Sequence, residues 1–226
     1  MNISLTQSIQ DYLKTIYDLT RTVERASTNK IAKAMGVKPA SVTGMIQKMT
    51  KSESPLVDYK KHQGVVLTPH GEKLALEVIR HHRLLETFLH ETLSYEWDAV
   101  HDEACRLEHV ISEQFEETID QILGNPTFDP HGDPIPDRNL VMPACTTTSL
   151  EMLQPGQQAT IQRVRDSDPD LLRYLADSGL FPGVQVTLLD CSPFDGNLSL
   201  QVARREQSIV LGPSVAEQIF IEIIAN

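Results

Sequence analysis

Cysteine is scarce in this chain, and no lysine follows Lys73. The three cysteines, Cys105, Cys145 and Cys191, are odd in number and widely spaced, which argues against a disulfide framework; a cysteine with a role would be a ligand or a buried thiol, and Cys145 and Cys191 read as incidental thiols. No apolar run is long enough to span a bilayer, and Met1 to Gln10 lacks the basic-then-apolar order of a secretion signal. The sequence therefore predicts a cytoplasmic protein with no membrane partner. Gly-rich phosphate loops, Gly-x-Ser-x-Gly and His-Glu-x-x-His are all missing, which makes catalysis the weaker interpretation of its polar residues. There is no internal repeat and no low-complexity tract.

What is present is a chain of 226 residues with 40% hydrophobic and 23% charged side chains, enough to build a core in one large domain or two to three small ones. Its formal charge of -11 argues, taken alone, against binding nucleic acid. The distribution of charge points the other way. Residues 1–74 carry eleven Lys and Arg against six Asp and Glu, a net +5, whereas the remainder carries nine against twenty-five, a net -16.

Between Leu5 and Leu19, Ile9, Leu13, Ile16 and Tyr17 recur at helical spacing. Ser27 and Thr28 are good N-caps for a second helix holding Ile31, Ala32 and Met35. Gly36 permits a sharp turn, and Pro39 suits the first turn of a third helix anchored by Val42, Met45, Ile46 and Met49. Residues 55–59 and 65–68 predict two short strands around the polar tip Lys60-Lys61-His62-Gln63-Gly64. Thr68-Pro69 opens a long helix to about Thr92, and Ser94 could cap another from about Glu96 through Leu123 with a break. Gly124 to Cys145, with four Pro-containing turn dipeptides, reads as a linker. Beyond it the period becomes alternating, with strands near 159–161, 184–188, 198–202 and 208–211 and a short helix over 168–178, which fits a small barrel.

A helix-turn-helix needs a small residue where its helices cross, a turn residue four positions later and apolar anchors in the second helix. Ala32, Gly36, Val42 and Met45 fall in that register, and the following hairpin would be a wing. A helical hairpin without a ligand is the plain alternative; the local positive charge favours double-stranded DNA. Lys38, Ala40, Ser41, Thr43, Gly44 and Gln47 lie at the start of the second helix of the motif. Of these, Lys38 and Gln47 have the reach for a base contact, while Lys60 and Lys61 of the wing would neutralise phosphates.

The densest group of metal-ligating side chains is His101-Asp102-Glu103-Ala104-Cys105-Arg106-Leu107-Glu108-His109. On a helix, His101 and Cys105, and Cys105 and His109, stand four apart, and Cys105 and Glu108 three apart, so their donors converge. His82 and Glu86 share one face by the same spacing. A hydrated charged face is the competing reading. The mixed O, N and S donors differ from the repeated cysteines of structural zinc.

These residues resemble the diphtheria toxin repressor and iron-dependent regulator family with its manganese transport regulator relatives. The resemblance rests on Asp11-Tyr12-Leu13-Lys14-Thr15-Ile16-Tyr17, the helix-turn-helix, Leu67-Thr68-Pro69-His70-Gly71, His82-Arg83-Leu84-Leu85-Glu86, the 101–109 cluster and Pro130-His131-Gly132-Asp133-Pro134-Ile135-Pro136. It implies a fold that is mainly α with a β-rich C-terminal domain: a winged helix-turn-helix over 1–73, a helical metal-binding and dimerisation domain with a Pro-rich linker over 74–145, and an SH3-like domain over 146–226. It further implies a homodimeric, divalent-metal-activated transcriptional repressor that is not an enzyme, with two metal sites per subunit and operator DNA as partner. Asp11, Cys105, Glu108 and His109 would form the activating site. His82, Glu86 and His101 would form an ancillary one, completed by Asp168, with Asp166, Asp170, Asp129 and His131 as competitors.

Two departures bear on the metal. The iron-responsive branch has methionine where Asp11 stands, and the binuclear manganese branch has glutamates at the positions of Lys14 and Cys105. A protonated lysine cannot ligate. Asp11 hardens the site toward Mn²⁺, while Cys105 retains affinity for Fe²⁺, so the expected order is Mn²⁺ ahead of Fe²⁺. Gly44 also stands where the iron branch tends to have glutamine, so the operator need not be the same. Two rivals from other classes are a hydrolase built on the His82 and His101 cluster and a metal buffer without DNA affinity.

Overall fold

The computed structural model describes residues 5–224. Among the described residues, its backbone packing separates two compact units, one made of 5–82, 108–111 and 136–142, the other of 83–107, 112–135 and 143–224.

The first unit opens with α1, Gln7–Thr20, which buries Ile9, Tyr12, Leu13 and Ile16 on one face. Helix α2, Thr28–Ala34, is capped by Ser27, whose hydroxyl accepts from the Lys30 amide. Helix α3, Pro39–Thr50, has Pro39 in its first turn, and Gly36 between the two helices takes φ +64°. Strands β1, Val57–Lys60, and β2, Gly64–Leu67, form the expected antiparallel hairpin, pairing Val57 with Leu67 and Lys60 with Gly64. Gly64 is required where it stands. Its φ is +110°, and a Cβ there would sit 2.5 Å from the Ala26 carbonyl oxygen that binds the Val65 amide. Ile9, Leu13, Ile31, Val42, Ile46, Met49, Leu56 and Val65 make one apolar core.

Helix α4, Pro69–Glu91, starts where Thr68 accepts from the Gly71 amide. Instead of a helix from Glu96, α5 begins at Val100 and ends at Leu107, and α6 spans Glu113–Ile122. The break follows from Ser112, whose hydroxyl caps α6 by accepting from the Phe115 amide. Ser94 lies well before the start of α5 at Val100 and takes φ +58°.

In the second unit, β3 (Gln158–Val164), β4 (Gln185–Cys191), β5 (Leu198–Val202), β6 (Ile209–Leu211) and β7 (Ile219–Ile223) form an antiparallel sheet of order β6-β5-β4-β3-β7. Helix α7, Pro169–Asp177, follows β3. Strand β7 was not expected from the sequence; it pairs with β3 through Ile161 and Ile221. The segment expected as a linker is packed: Asp129, His131, Asp133 and Ile135 are all buried. Gly132 lies so close to β3 that a Cβ would meet the Gln162 carbonyl oxygen at 2.0 Å, and the His131 carbonyl accepts from the Val164 amide.

Two glycines of the first unit should respond oppositely to alanine. A Cβ at Gly71 would lie 2.0 Å from the Leu56 carbonyl oxygen, so Gly71→Ala should cost about 1–3 kcal/mol of stability. Helical Gly44 has open space around its Cα, so Gly44→Ala should gain about 0.5–1 kcal/mol. Urea denaturation of the two variants measures both effects.

Candidate metal centre and nucleic-acid interface

Every second-helix position expected to face DNA is exposed. Val42, Ile46 and Met49 turn inward, so the helical period leaves Ala40, Ser41, Thr43, Gly44 and Gln47 on the solvent side, with Lys38 at the N-cap. Lys60 and Lys61 are exposed at the tip of the wing, where His62 takes φ +66°. Arg25 fixes the base of that wing by binding the Asp58 carboxylate at 3.0 Å and donating to the Gly64 carbonyl.

The first unit also gathers Asp11, Glu108 and His109. His109 donates from Nδ1 to Gln10 Oε1 at 2.9 Å, which turns its Nε2 toward Asp11 Oδ1 at 3.0 Å and Glu108 Oε1 at 3.3 Å. A histidine with one nitrogen tied to a carbonyl oxygen presents the other as a ligand. Glu108 is buried, and its Oε2 accepts from His82 Nδ1 at 2.5 Å and Lys14 Nζ at 2.8 Å. Burial would raise its pKa, yet the His82 hydrogen bond and the Lys14 charge hold it below the ordinary value. Burial outweighs the attraction of His109 at Asp11 and pushes that carboxyl up. His82, expected in the ancillary set, meets Glu108 through its Nδ1.

The second unit gathers Glu86, Asp129 and His131, all buried. A backbone carbonyl can only accept, so His131 donates from Nε2 to the Trp97 oxygen at 3.0 Å and its Nδ1 faces Glu86 Oε2 at 3.8 Å. Asp129 spends Oδ1 on the amides of His131 and Asp133, both at 2.9 Å. Asp129 Oδ2 and His131 Nδ1 are buried without a hydrogen-bond partner, an arrangement that costs free energy unless a cation joins them. Burial and the charges of Glu86 and Asp133 raise the Asp129 carboxyl well above its ordinary value. His101 Nδ1 lies 3.0 Å from Glu86 Oε1 and 3.3 Å from Asp166 Oδ2, and its Nε2 lies 3.7 Å from Cys105 Sγ. The donors here are oxygen and nitrogen with a sulfur at the edge, a fit for a divalent ion.

Asp168 is committed elsewhere. Its carboxylate caps α7, accepting from the Asp170 and Leu171 amides, and it is Asp166, just past the end of β3, that reaches His101.

Comparison with known proteins places the whole chain. Residues 4–65 match the iron dependent repressor N-terminal DNA binding domain, 68–137 the iron dependent repressor metal binding and dimerisation domain, and 148–223 the FeoA domain. The iron-dependent repressor IdeR of Mycobacterium tuberculosis (strain ATCC 25618 / H37Rv) is 30% identical over 96% of this chain and 98% of its own. The chain belongs to the iron-dependent repressor family. A solved structure described as a manganese-dependent transcriptional repressor complex with manganese matches with TM-score 0.84 and 37% identity, covering 94% of this chain and 98% of that one. A structure of ScaR with bound Cd²⁺ matches with TM-score 0.80 and 36% identity over 95% and 98%. As a family member the chain is a metal-dependent transcriptional repressor and not an enzyme, with an N-terminal DNA-binding domain, a helical dimerisation domain and an SH3-like C-terminal domain. Among the described residues, no helix is long and apolar enough to cross a membrane.

Gln10, His81 and Arg83 support this repressor's donor sets, and sequence reasoning passed over all three. Gln10 orients His109, His81 Nδ1 donates to the Glu108 carbonyl at 3.1 Å, and Arg83 lies 3.7 Å from Asp129 and 3.3 Å from Asp133. The signal for Gln10 was its place beside Asp11; nothing local marks the others.

Burial would lower the His101 pKa, but its hydrogen bonds to Asp166, Cys105 and Glu86 push it up to about 12. Because the folded value exceeds 6.5, the imidazolium contributes its full stability below that pH and loses it progressively toward about 12. In chelator-treated protein, the urea-midpoint advantage of wild type over His101→Gln should therefore be larger at pH 6 than at pH 9.

Proposed function

We propose that this repressor is activated by Mn²⁺, with Fe²⁺ second, and binds double-stranded operator DNA as a homodimer in the cytoplasm. Two ions per subunit would be held, one by Asp11, Glu108 and His109, the other by Glu86, His101, Asp129, His131 and Asp166. Cys105, the soft donor, is proposed as a further ligand. When bound, the metal supplies positive charge that draws these carboxylates and imidazoles together.

One observation carries the reading: Asp11 stands on α1, the helix whose Ile9, Leu13 and Ile16 share a core with Val42 and Ile46 of α3. Fixing Asp11 against Glu108 and His109 restrains the helix on which the DNA-reading helix rests. Oxygen-rich donor sets favour Mn²⁺, and the relatives described as manganese-dependent support that preference. The exposed face of α3 would enter the major groove, Lys38 and Gln47 contacting base edges, and the wing lysines would bind phosphate. Metal and operator must then strengthen each other's binding equally.

Gel shifts under anaerobic conditions with Mn²⁺, Fe²⁺, Zn²⁺ and Co²⁺ test this directly. Operator affinity should rise with metal, most with Mn²⁺, and operator affinity indifferent to all four ions would refute it. Glu108→Ala should abolish activation, and Cys105→Ala should weaken it, each with an unchanged circular dichroism spectrum. Lys60→Ala and Lys61→Ala should each weaken binding across sequences and reduce the salt slope, log affinity against log salt, by about one.

A further inference from the structure

The first donor set already holds a cation of its own. Lys14 stands three residues after Asp11 on α1, so both side chains leave the same side of the helix. Its Nζ lies 2.8 Å from Glu108 Oε2, with Lys14 20% exposed and Glu108 2%. The other oxygen of that carboxylate, Oε1, faces His109 Nε2 at 3.3 Å, and His109 Nε2 meets Asp11 Oδ1 at 3.0 Å. One buried carboxylate therefore shows one oxygen to an ammonium and the other to the donor cluster.

We propose that Lys14 is the resident counter-ion of the metal-free site and sets the metal concentration at which the site fills. The inference rests on the reading of Asp11, Glu108 and His109 as metal ligands. Lys14 acts in two opposite senses. It stabilises the metal-free chain, because a buried carboxylate is costly without a positive partner. It also opposes the incoming ion, because a unit charge fixed on Glu108 repels a doubly charged one, and burial leaves little solvent to screen them. A lysine that merely packed there would, once removed, leave a less stable chain and a looser site together. The counter-ion role predicts that stability and metal affinity move in opposite directions. His82, at 2.5 Å from the same Oε2, keeps Glu108 hydrogen-bonded when the ammonium is gone, so the variant chain retains its buried acid.

The test is a direct titration of the chelator-stripped full chain with Mn²⁺ alone, together with its thermal melt. The first-set event is the one that Glu108→Gln removes. Lys14→Gln should tighten that event about tenfold or more while lowering the melting temperature of the metal-free chain. Lys14→Arg, which keeps the charge, should bind within about threefold of wild type. Lys14→Met serves as a second neutral variant should Lys14→Gln fail to fold. Equal or weaker Mn²⁺ binding by the neutral variants overturns the counter-ion role while leaving the site intact. If Glu108→Gln removes no binding event, the metal-site reading itself fails and the counter-ion role falls with it.

Discussion

The Glu108 carboxylate is the constraint around which the first unit is arranged. A carboxylate with almost no exposed surface must recover its lost hydration from hydrogen bonds and opposite charge. Three chain segments supply them: Lys14 from α1, His82 from α4 and His109 from its own short stretch. His81 adds a bond to the backbone carbonyl of the same residue. Moving any of these segments leaves the buried acid short of partners, so the segments are fixed together by electrostatics as well as by the apolar core. The directional shift of Glu108, downward despite burial, is the sum of those partners.

The second unit solves the same problem differently. Glu86, Asp129, Asp133 and Asp166 bring four carboxylates together, facing Arg83, Arg163, His101 and His131. Asp129 is raised well above its ordinary value, whereas Asp166 is brought down to about 2 by the His101 hydrogen bond and charge in spite of burial. His131 reaches about 9 as the facing Glu86 carboxylate and the charges of Asp129 and Asp166 outweigh burial. Part of the compensating charge here is carried by imidazolium, which becomes a ligand on losing its proton. In the first unit it is carried by a lysine, which has to give way. The two donor sets therefore differ in what an incoming cation must displace.

Features governed by near neighbours in the chain were readable from it. Ile9, Leu13 and Ile16 define a helical face, Gly36 and Pro39 punctuate the helix pair, and Lys60 with Lys61 marks the hairpin tip, because each depends on residues a few positions away. Features set by distant partners were not. The Pro- and Asp-rich run after Gly124 has the composition of a solvated linker, and Arg83 and Arg163, far off in sequence, help to make burying Asp129 and Asp133 tolerable. Strand β7 lacks the alternation of a half-buried strand because Ile219, Phe220 and Ile221 are all covered, and its partner β3 lies some sixty residues earlier. Asp166 and Asp168 are chemically identical, and the choice between them is made by geometry. Pro169 begins α7, which commits Asp168 to capping and leaves the residue nearer the end of β3 to meet His101.

Helix α1 connects chemistry to recognition because two demands fall on fourteen residues. Its apolar face carries Ile9, Tyr12, Leu13 and Ile16 into the core beneath α2 and β2, while Gln10, Asp11 and Lys14 stand on the flank and reach His109 and Glu108. The two faces cannot be repositioned independently on a rigid helix. A small shift of Asp11 toward His109 must turn or slide the apolar face against Ile31, Val42 and Ile46, and close-packed side chains transmit such a shift instead of absorbing it. On the proposed reading, this is how a change of charge at Glu108 reaches Lys38 and Gln47 without any donor residue touching DNA.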